Sequence, residues 1–319
     1  MERAALLFPG QGAQNPGMGA DIVQNSPAAR KVFEAANEAL DVELDHLCFE
    51  GTLEQLSRSD VAQPAILTVS IATLQAMTEA AGAPPDSVGA AGLSLGEYSA
   101  LVAAGAVRFT DAVRLVRRRG LFMQEACERR PGTMFSIIGL EADAVEQACD
   151  RARQRSGGVW PANYNSPGQI VLSGEEEAVG LAAELCGEAG ARRTVQLRVA
   201  GAFHSPLMQP AAEKLAPLVE ELEVQGPAFP VPSNVTGRPA DSPAEIRRLL
   251  VAQVTSPVRW LQCQQWLIDR GEQPFYEVGP GRVLRGLLRR TDRSRDCLSV
   301  NRMQDVTTYA EHTRNEDDD

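Results

Sequence analysis

The sequence has little of what metal sites, disulfide frameworks and membrane spans require. Its 319 residues include three histidines and six cysteines, and no two cysteines form a CxxC pair. This spacing indicates reduced, mostly buried thiols, with neither a metal nor a disulfide. No uninterrupted apolar run approaches the roughly 18 residues of a membrane span. Residues 1–9 are too short in apolar length for a signal peptide, so we expect a cytoplasmic protein.

Positive charge is also scarce. The sequence has 31 lysines and arginines and 42 acidic residues, which gives a net charge of −11. This balance argues against general nucleic-acid binding. Part of the excess lies near the end of the chain, and residues 301–319 are expected to form an acidic, mobile tail. The hydrophobic fraction of 44% is enough for a large core without disulfides or metals.

The first part of the chain alternates short apolar runs with amphipathic ones. The pattern predicts strands at 4–8 and 88–92, and helices at 26–40, 62–81, 94–104 and 111–127. Strands separated by helices imply a parallel sheet covered on both faces. We therefore predict an α/β fold whose larger, α/β-hydrolase-like domain has a central parallel sheet.

The order of predicted strands and helices changes near residue 130. The predicted elements are strand 133–138, helix 142–155, strands 159–163 and 169–173, helix 175–189 and strand 192–196. This β-α-β-β-α-β order is typical of a small ferredoxin-like unit. We predict an inserted ferredoxin-like subdomain at 128–197, and a discontinuous catalytic domain formed by 1–127 and 198–300.

A candidate nucleophile lies between the second predicted strand and the following helix. The pentapeptide Gly92-Leu93-Ser94-Leu95-Gly96 fits the G-x-S-x-G pattern of a sharp strand-to-helix turn. Small residues relieve crowding in such a turn, and the helix N-terminus favours a developing negative charge. Alternatively, Ser94 only caps the helix. The motif alone leaves both interpretations open.

A serine hydroxyl is a weak nucleophile without a base, and only three histidines are available. His46 lies in a predicted loop and His312 in the acidic tail. His204 follows an apolar strand, so elimination favours it as the base. The alternative is a histidine with a purely structural role.

Several segments together resemble the family of malonyl-CoA:acyl carrier protein transacylases and the related acyltransferase domains of fatty acid and polyketide synthases. They occur in the family's order between residues 4 and 290. The resemblance implies transfer of a malonyl group from coenzyme A to an acyl carrier protein, by a ping-pong reaction that needs no metal or redox cofactor. The segments are 8–14, 92–98, 119–124, 165–169, 202–205 and 276–281.

The resemblance also implies roles for individual residues. Ser94 is expected to carry the acyl group, and His204 to act first as general base and then as general acid. The family uses a Ser–His dyad in which a main-chain carbonyl, here that of Gln253, holds the second imidazole nitrogen. The backbone N–H groups of Gln11 and Leu95 are expected to form the oxyanion hole.

Arg119 is the expected partner of the free malonyl carboxylate. A guanidinium presents a planar fork of donors that binds a carboxylate bidentately, which lysine cannot imitate. The sequence alone does not separate this residue from Arg114, Arg117 and Arg118, and only the family's Arg-Gly pair at 119–120 selects it.

Two residues are expected to shape the acyl pocket. Phe203, beside His204, resembles the malonyl-selective form of the family motif, because a bulky ring leaves little room for an α-methyl group. Leu93 departs from the family pattern, which most often has histidine there. That histidine is not the general base, so we expect catalysis to survive and the pocket wall to change.

Carrier proteins of this kind are acidic, so a basic docking face is expected near the cleft. The candidates are Arg114, Arg117, Arg118, Arg129, Arg130, Arg192 and Arg193. The alternatives are an editing acyl hydrolase, a free-standing acyltransferase of polyketide synthesis, an ordinary α/β-hydrolase esterase and an inactive carrier-protein-binding module.

Overall fold

The computed structural model describes residues 3–315 of the chain. The strands are β1 Ala4–Phe8, β2 Ser87–Gly92, β3 Thr133–Ile138, β4 Val159–Ser166, β5 Gln169–Gly174, β6 Arg193–Gln196, β7 Phe275–Val278 and β8 Cys297–Val300. The helices are α1 Ala20–Asn25, α2 Pro27–Leu40, α3 Leu44–Glu50, α4 Leu53–Ser57, α5 Ser59–Ala81, α6 Gly96–Ala103, α7 Phe109–Arg129, α8 Ala142–Arg153, α9 Glu176–Glu188, α10 Gln209–Glu220, α11 Pro243–Ala252, α12 Trp260–Ile268, α13 Val283–Thr291 and α14 Met303–Asn315.

A four-stranded parallel sheet forms the centre of the larger unit, in the order β2-β1-β7-β8. All five residues of β1 are buried, and the strand shows no polar alternation. Such a strand needs cover on both faces, which the helices provide. The predicted α/β fold with a central parallel sheet is confirmed.

The second sheet is antiparallel, in the order β4-β5-β3-β6. Its chain order is β-α-β-β-α-β, with α8 and α9 as the two helices. Their apolar residues share a separate core with the sheet, which includes Ile137, Val145, Leu172 and Val179. The arrangement is the predicted ferredoxin-like one. The domain boundaries drawn from the sequence stay a prediction.

The long helix α5 runs through the core of the larger unit. Among the described residues it is the one helix long and apolar enough to cross a membrane, and 83% of its most apolar stretch is buried inside the protein. A β-carbon on Gly120 of α7 would lie 2.2 Å from the carbonyl oxygen of Ser59. Helices α5 and α7 therefore approach closely where Arg119 and Gln63 lie.

The prediction of a mobile tail is wrong for the described part of residues 301–319. Residues 303–315 form α14, and Val306, Tyr309 and Ala310 are buried. The ring of Tyr309 meets that of Tyr276 edge-on, with centroids 5.0 Å apart. The abundant acidic residues obscured an apolar face with helical spacing, which packs against the core. Residues 316–319 lie outside the described residues.

Replacing Tyr309 by alanine is expected to lower the free energy of unfolding by about 3–5 kcal/mol, the usual loss for a buried aromatic side chain. The measurement is urea unfolding followed by circular dichroism. Glu311→Ala, an exposed site on the same helix, is the control and should change stability by less than about 0.5 kcal/mol. Equal midpoints for the two variants would mean that α14 is not part of the cooperative fold.

Candidate active site

The serine of the G-x-S-x-G turn is held in strained backbone geometry. Ser94 has a φ of 53°, in the left-handed region. A β-carbon on Gly92 would lie 1.8 Å from the carbonyl carbon of Gly96, and one on Gly96 would lie 2.1 Å from the carbonyl oxygen of Phe8. The tight turn therefore requires both glycines, as the motif predicts.

The helix predicted to begin at Ser94 begins two residues later, because the left-handed serine cannot be its first residue. Helix α6 begins at Gly96 and is preceded by Leu95 as its N-cap. No side chain caps its N-terminus. The alternative that Ser94 merely caps the helix is therefore excluded.

Ser94 and His204 meet across the chain. The Ser94 Oγ lies 2.7 Å from the His204 Nε2, and both side chains are largely buried. The other ring nitrogen, Nδ1, lies 2.9 Å from the carbonyl oxygen of Gln253. A carbonyl only accepts, so Nδ1 carries the proton and Nε2 is free to accept the serine proton. The structure brings together the nucleophile, base and carbonyl expected from the sequence.

Burial keeps His204 neutral. Desolvation, followed by the positive charge of Arg119, lowers the pKa of His204 from 6.5 to about 4, although hydrogen bonds to the backbone of Gln253 and Ser256 oppose the shift. An imidazole with this pKa is unprotonated near pH 7. It is therefore in the form that a general base requires.

Arg119 is buried beside the nucleophile. Its Nη2 lies 3.2 Å from the Ser94 Oγ and 2.9 Å from the side-chain oxygen of Gln253. Its Nη1 donates to the side-chain oxygen of Gln63 at 2.8 Å. Two neutral amides and the ring face of Tyr98, 5.6 Å from the guanidinium carbon, surround the cation. None of these neighbours neutralises its charge, and desolvation lowers the pKa of Arg119.

The neighbouring arginines point elsewhere, which settles the choice that the sequence left open. Arg114 and Arg117 donate to the carbonyl oxygens of Ala39 and Leu40. Together with Arg118 they line a second cleft that does not contain Ser94. These three arginines do not line the active cleft, because they lie on the face of α7 that packs toward α2. Their part in docking a carrier protein stays a prediction.

Of the remaining docking candidates, Arg130 is paired with Glu175 on the small subdomain. The basic side chains that line the active cleft, apart from Arg119, include Arg58 and Arg198. Arg58 forms an ion pair with Asp60 at 3.1 Å.

The dyad lies in a cleft of 710 Å³ between the two sheets. Its walls come from the loop after β1, from β3, β4 and β5, from the segment that carries His204, and from α13. The expected pocket residues Leu93 and Phe203 line it, as does Gln11. Within residues 3–315, the backbone N–H groups of Gln11 and Leu95 have no acceptor. These groups are free to serve the predicted oxyanion hole.

Sequence reasoning missed Asn234 and Glu97, and it missed the side-chain contacts of Gln253. The Ser94 N–H donates to the Asn234 side-chain oxygen at 2.6 Å, and the Gln253 side-chain nitrogen donates to the Ser94 carbonyl at 3.0 Å. Glu97 accepts from both supporting residues. Glu97 lies in a segment that carried the family resemblance, but Asn234 is 140 residues from Ser94 and has no distinctive local pattern.

No group of three or more His, Cys, Asp or Glu side chains in the described part of the chain is placed to hold a metal ion. The six cysteines are buried and free, and burial raises the pKa of several of them, such as Cys48 to about 12.

Comparison with known proteins gives consistent matches along the chain. A family model described as the acyl transferase domain matches residues 5–318. The malonyl CoA-acyl carrier protein transacylase of Bacillus subtilis is 43% identical over 318 residues, which cover 100% of this chain and 99% of the relative.

Solved structures agree. The malonyl CoA-acyl carrier protein transacylase of Coxiella burnetii has a TM-score of 0.92 at 37% identity, covering 97% of each chain. A malonyl-transacylase in complex with its holo acyl-carrier protein of type II polyketide synthesis also has a TM-score of 0.92, at 40% identity over 97% of this chain and 99% of that one. The chain therefore belongs to the acyl transferase domain family and is similar to its malonyl CoA-acyl carrier protein transacylases over nearly its whole length.

Proposed function

We propose that this chain transfers a malonyl group from malonyl-CoA to the phosphopantetheine thiol of an acyl carrier protein, through an ester on Ser94. The observation that carries the proposal is the buried guanidinium of Arg119, 3.2 Å from the nucleophilic oxygen. A buried cation whose direct hydrogen-bond partners are all neutral suits an acyl group that ends in a carboxylate. The names of the similar proteins indicate the same substrates.

In the first half-reaction, the Ser94 Oγ attacks the thioester carbonyl carbon while His204 Nε2 takes the hydroxyl proton. The backbone N–H groups of Gln11 and Leu95 donate to the resulting oxyanion. Collapse of the tetrahedral intermediate breaks the carbon–sulfur bond. The departing coenzyme A thiolate takes the proton from His204, and malonyl-Ser94 remains.

In the second half-reaction, the carrier protein's phosphopantetheine thiol gives its proton to His204 and attacks the ester carbonyl. The same two N–H groups stabilise the second oxyanion. The carbon–oxygen bond then breaks, and the Ser94 oxygen recovers its proton from His204. Malonyl-carrier protein leaves and the enzyme returns to its starting state.

Arg119 supplies selectivity and orientation. Its two terminal nitrogens bind the malonyl carboxylate in place of the present contact with Ser94. Burial strengthens this interaction, because little water screens the charges. A fixed carboxylate holds the ester in one orientation and favours transfer to a thiol over attack by water.

The other hypotheses fit the site less well. An ordinary esterase would place Asp or Glu at His204 Nδ1, where the chain has the carbonyl oxygen of Gln253. An inactive binding module would not need the short contact between Ser94 and His204. An editing hydrolase of simple acyl chains has no use for the charge of Arg119. The same transfer serves fatty acid or polyketide synthesis, so the carrier protein accepted decides the pathway. The cytoplasmic location stays a prediction.

Brief exposure to malonyl-CoA is expected to leave a malonyl adduct on Ser94, since its hydroxyl already faces the base. Intact-protein and peptide mass spectrometry measure it, with methylmalonyl-CoA and acetyl-CoA as competitors. We expect malonyl to load preferentially. Ser94→Ala should carry no adduct, and a malonyl group on any other residue would contradict the proposed intermediate.

Arg119→Ala is expected to lower kcat/KM for malonyl-CoA by about 100-fold, because the substrate carboxylate loses its buried partner. Loading of acetyl relative to malonyl should rise. Arg118→Ala, which removes the exposed neighbouring arginine, is the matched control and should leave the preference as it is. An unchanged preference in Arg119→Ala would refute the carboxylate assignment.

The pH dependence of acetyl-CoA loading tests the state of His204. Because its pKa is lowered to about 4, we expect kcat/KM to stay high as the pH falls through 6.5 and to decline only near that lower value. In Arg119→Ala this decline at acidic pH should move to higher pH, since a positive charge that disfavours the imidazolium is gone. An acidic decline that stays at the same pH or moves to lower pH would contradict this account.

A further inference from the structure

The strained peptide of Ser94 is fixed on both sides by side chains from distant segments. Asn234 accepts the Ser94 N–H, and the Gln253 side-chain nitrogen donates to the Ser94 carbonyl. Asn234 and Gln253 are both fully buried. Since a left-handed serine persists only where its surroundings determine it, these two contacts maintain the turn.

A single carboxylate oxygen joins the two fixing residues. The Glu97 Oε2 accepts from the backbone N–H of Asn234 at 2.9 Å and from the Gln253 side-chain nitrogen at 2.6 Å. Glu97 lies in the first turn of α6, three residues after Ser94, and is 3% exposed. Its own N–H donates to the Ser94 carbonyl at 3.1 Å. The carboxylate therefore closes a ring of hydrogen bonds behind the nucleophile.

Glu97 also determines which way the Gln253 amide faces. The amide nitrogen lies between two acceptors, the Glu97 carboxylate and the Ser94 carbonyl, and the amide oxygen accepts from Arg119. A reversed amide would place its NH₂ group against a guanidinium that only donates. The main-chain oxygen of the same residue holds the His204 ring. Gln253 thus contacts the nucleophile, the base and the arginine.

We propose that Glu97 is a positioning residue, which through Asn234 and Gln253 sets the relative placement of Ser94, His204 and Arg119. The inference rests on the proposed function, because it assigns Arg119 to the malonyl carboxylate. In the part of the chain that the structure describes, Glu97, Asn234 and Gln253 are not among the cleft-lining residues. Glu97 therefore acts through its neighbours and not on the substrate.

Substitutions at Glu97 separate geometry from charge. Glu97→Gln loses the charge, but its one carbonyl oxygen accepts both donors, so we expect kcat/KM for malonyl-CoA within about threefold of the parent. Glu97→Asp keeps the charge but draws the oxygen back by about 1.5 Å, one carbon–carbon bond. We expect it and Glu97→Ala to lose about 10- to 100-fold, the effect of slight misplacement of reacting groups.

The ratio of malonyl to acetyl loading is the decisive readout. Glu97→Asp and Glu97→Ala should lower this ratio, because the Gln253 amide no longer holds Arg119. Glu97→Gln should keep the ratio of the parent enzyme. Gln253→Met keeps the main-chain carbonyl but removes the amide. Combined with Glu97→Ala, it should add little to the loss, since both changes break one chain of contacts.

Asp305 offers a control, because this half-buried carboxylate also accepts from two backbone N–H groups, those of Asn301 and Arg302, and none of the three residues lines the cleft. Asp305→Ala should lower the melting temperature and keep the malonyl-to-acetyl ratio. If Glu97→Asp were as active as Glu97→Gln, or more active, the position of the oxygen would not decide the activity, and the inference would be overturned.

Glu97→Ala could instead lower the malonyl and acetyl loading rates equally, to an extent that follows its drop in melting temperature. That result would likewise show that the role of Glu97 is only structural. If the parent enzyme itself loads no malonyl on Ser94, the proposed function fails first. The two failures are therefore distinguishable.

Discussion

The contact of 2.7 Å between Ser94 and His204 depends on two residues that both adopt left-handed backbone geometry, with φ values of 53° and 55°. Among the described residues, only Asp41 is a further non-glycine residue with positive φ. Such geometry costs free energy, on the order of 1–3 kcal/mol for each residue. It persists because Gly92 and Gly96 allow the tight turn and because hydrogen bonds hold the Ser94 peptide on both sides. Strain at the dyad is thus offset by contacts behind it.

The electrostatics of the site follow from one buried cation that no carboxylate contacts directly. Arg119 is surrounded by neutral acceptors, and its charge helps to lower the pKa of His204. The substrate carboxylate would offset this charge on binding. We therefore expect His204 to become a stronger base when an acyl group with a carboxylate fills the site. In the proposed reaction, the contact that selects the substrate would then also favour proton transfer.

The active cleft lies between the two sheets, and neither sheet alone would form it. The larger unit supplies Ser94, His204 and Arg119, and the antiparallel sheet supplies another wall of the cleft. The close approach of α7 to α5 at Gly120 brings Arg119 within reach of Gln63. Packing of two helices therefore sets the position of the guanidinium as much as the turn sets that of the nucleophile.

The sequence by itself determined the features that local pattern encodes. The apolar runs and the β-α-β-β-α-β order predicted both sheets. The glycine-flanked serine gave a candidate nucleophile, and the scarcity of histidine favoured His204 as its base. The family resemblance selected Arg119, but only the tertiary structure decided that its guanidinium contacts Ser94, that Asn234 and Glu97 support Ser94, and that Tyr309 packs α14 against the core. These are contacts between distant segments, and burial, which gives each of them its energy, is a property of the folded chain.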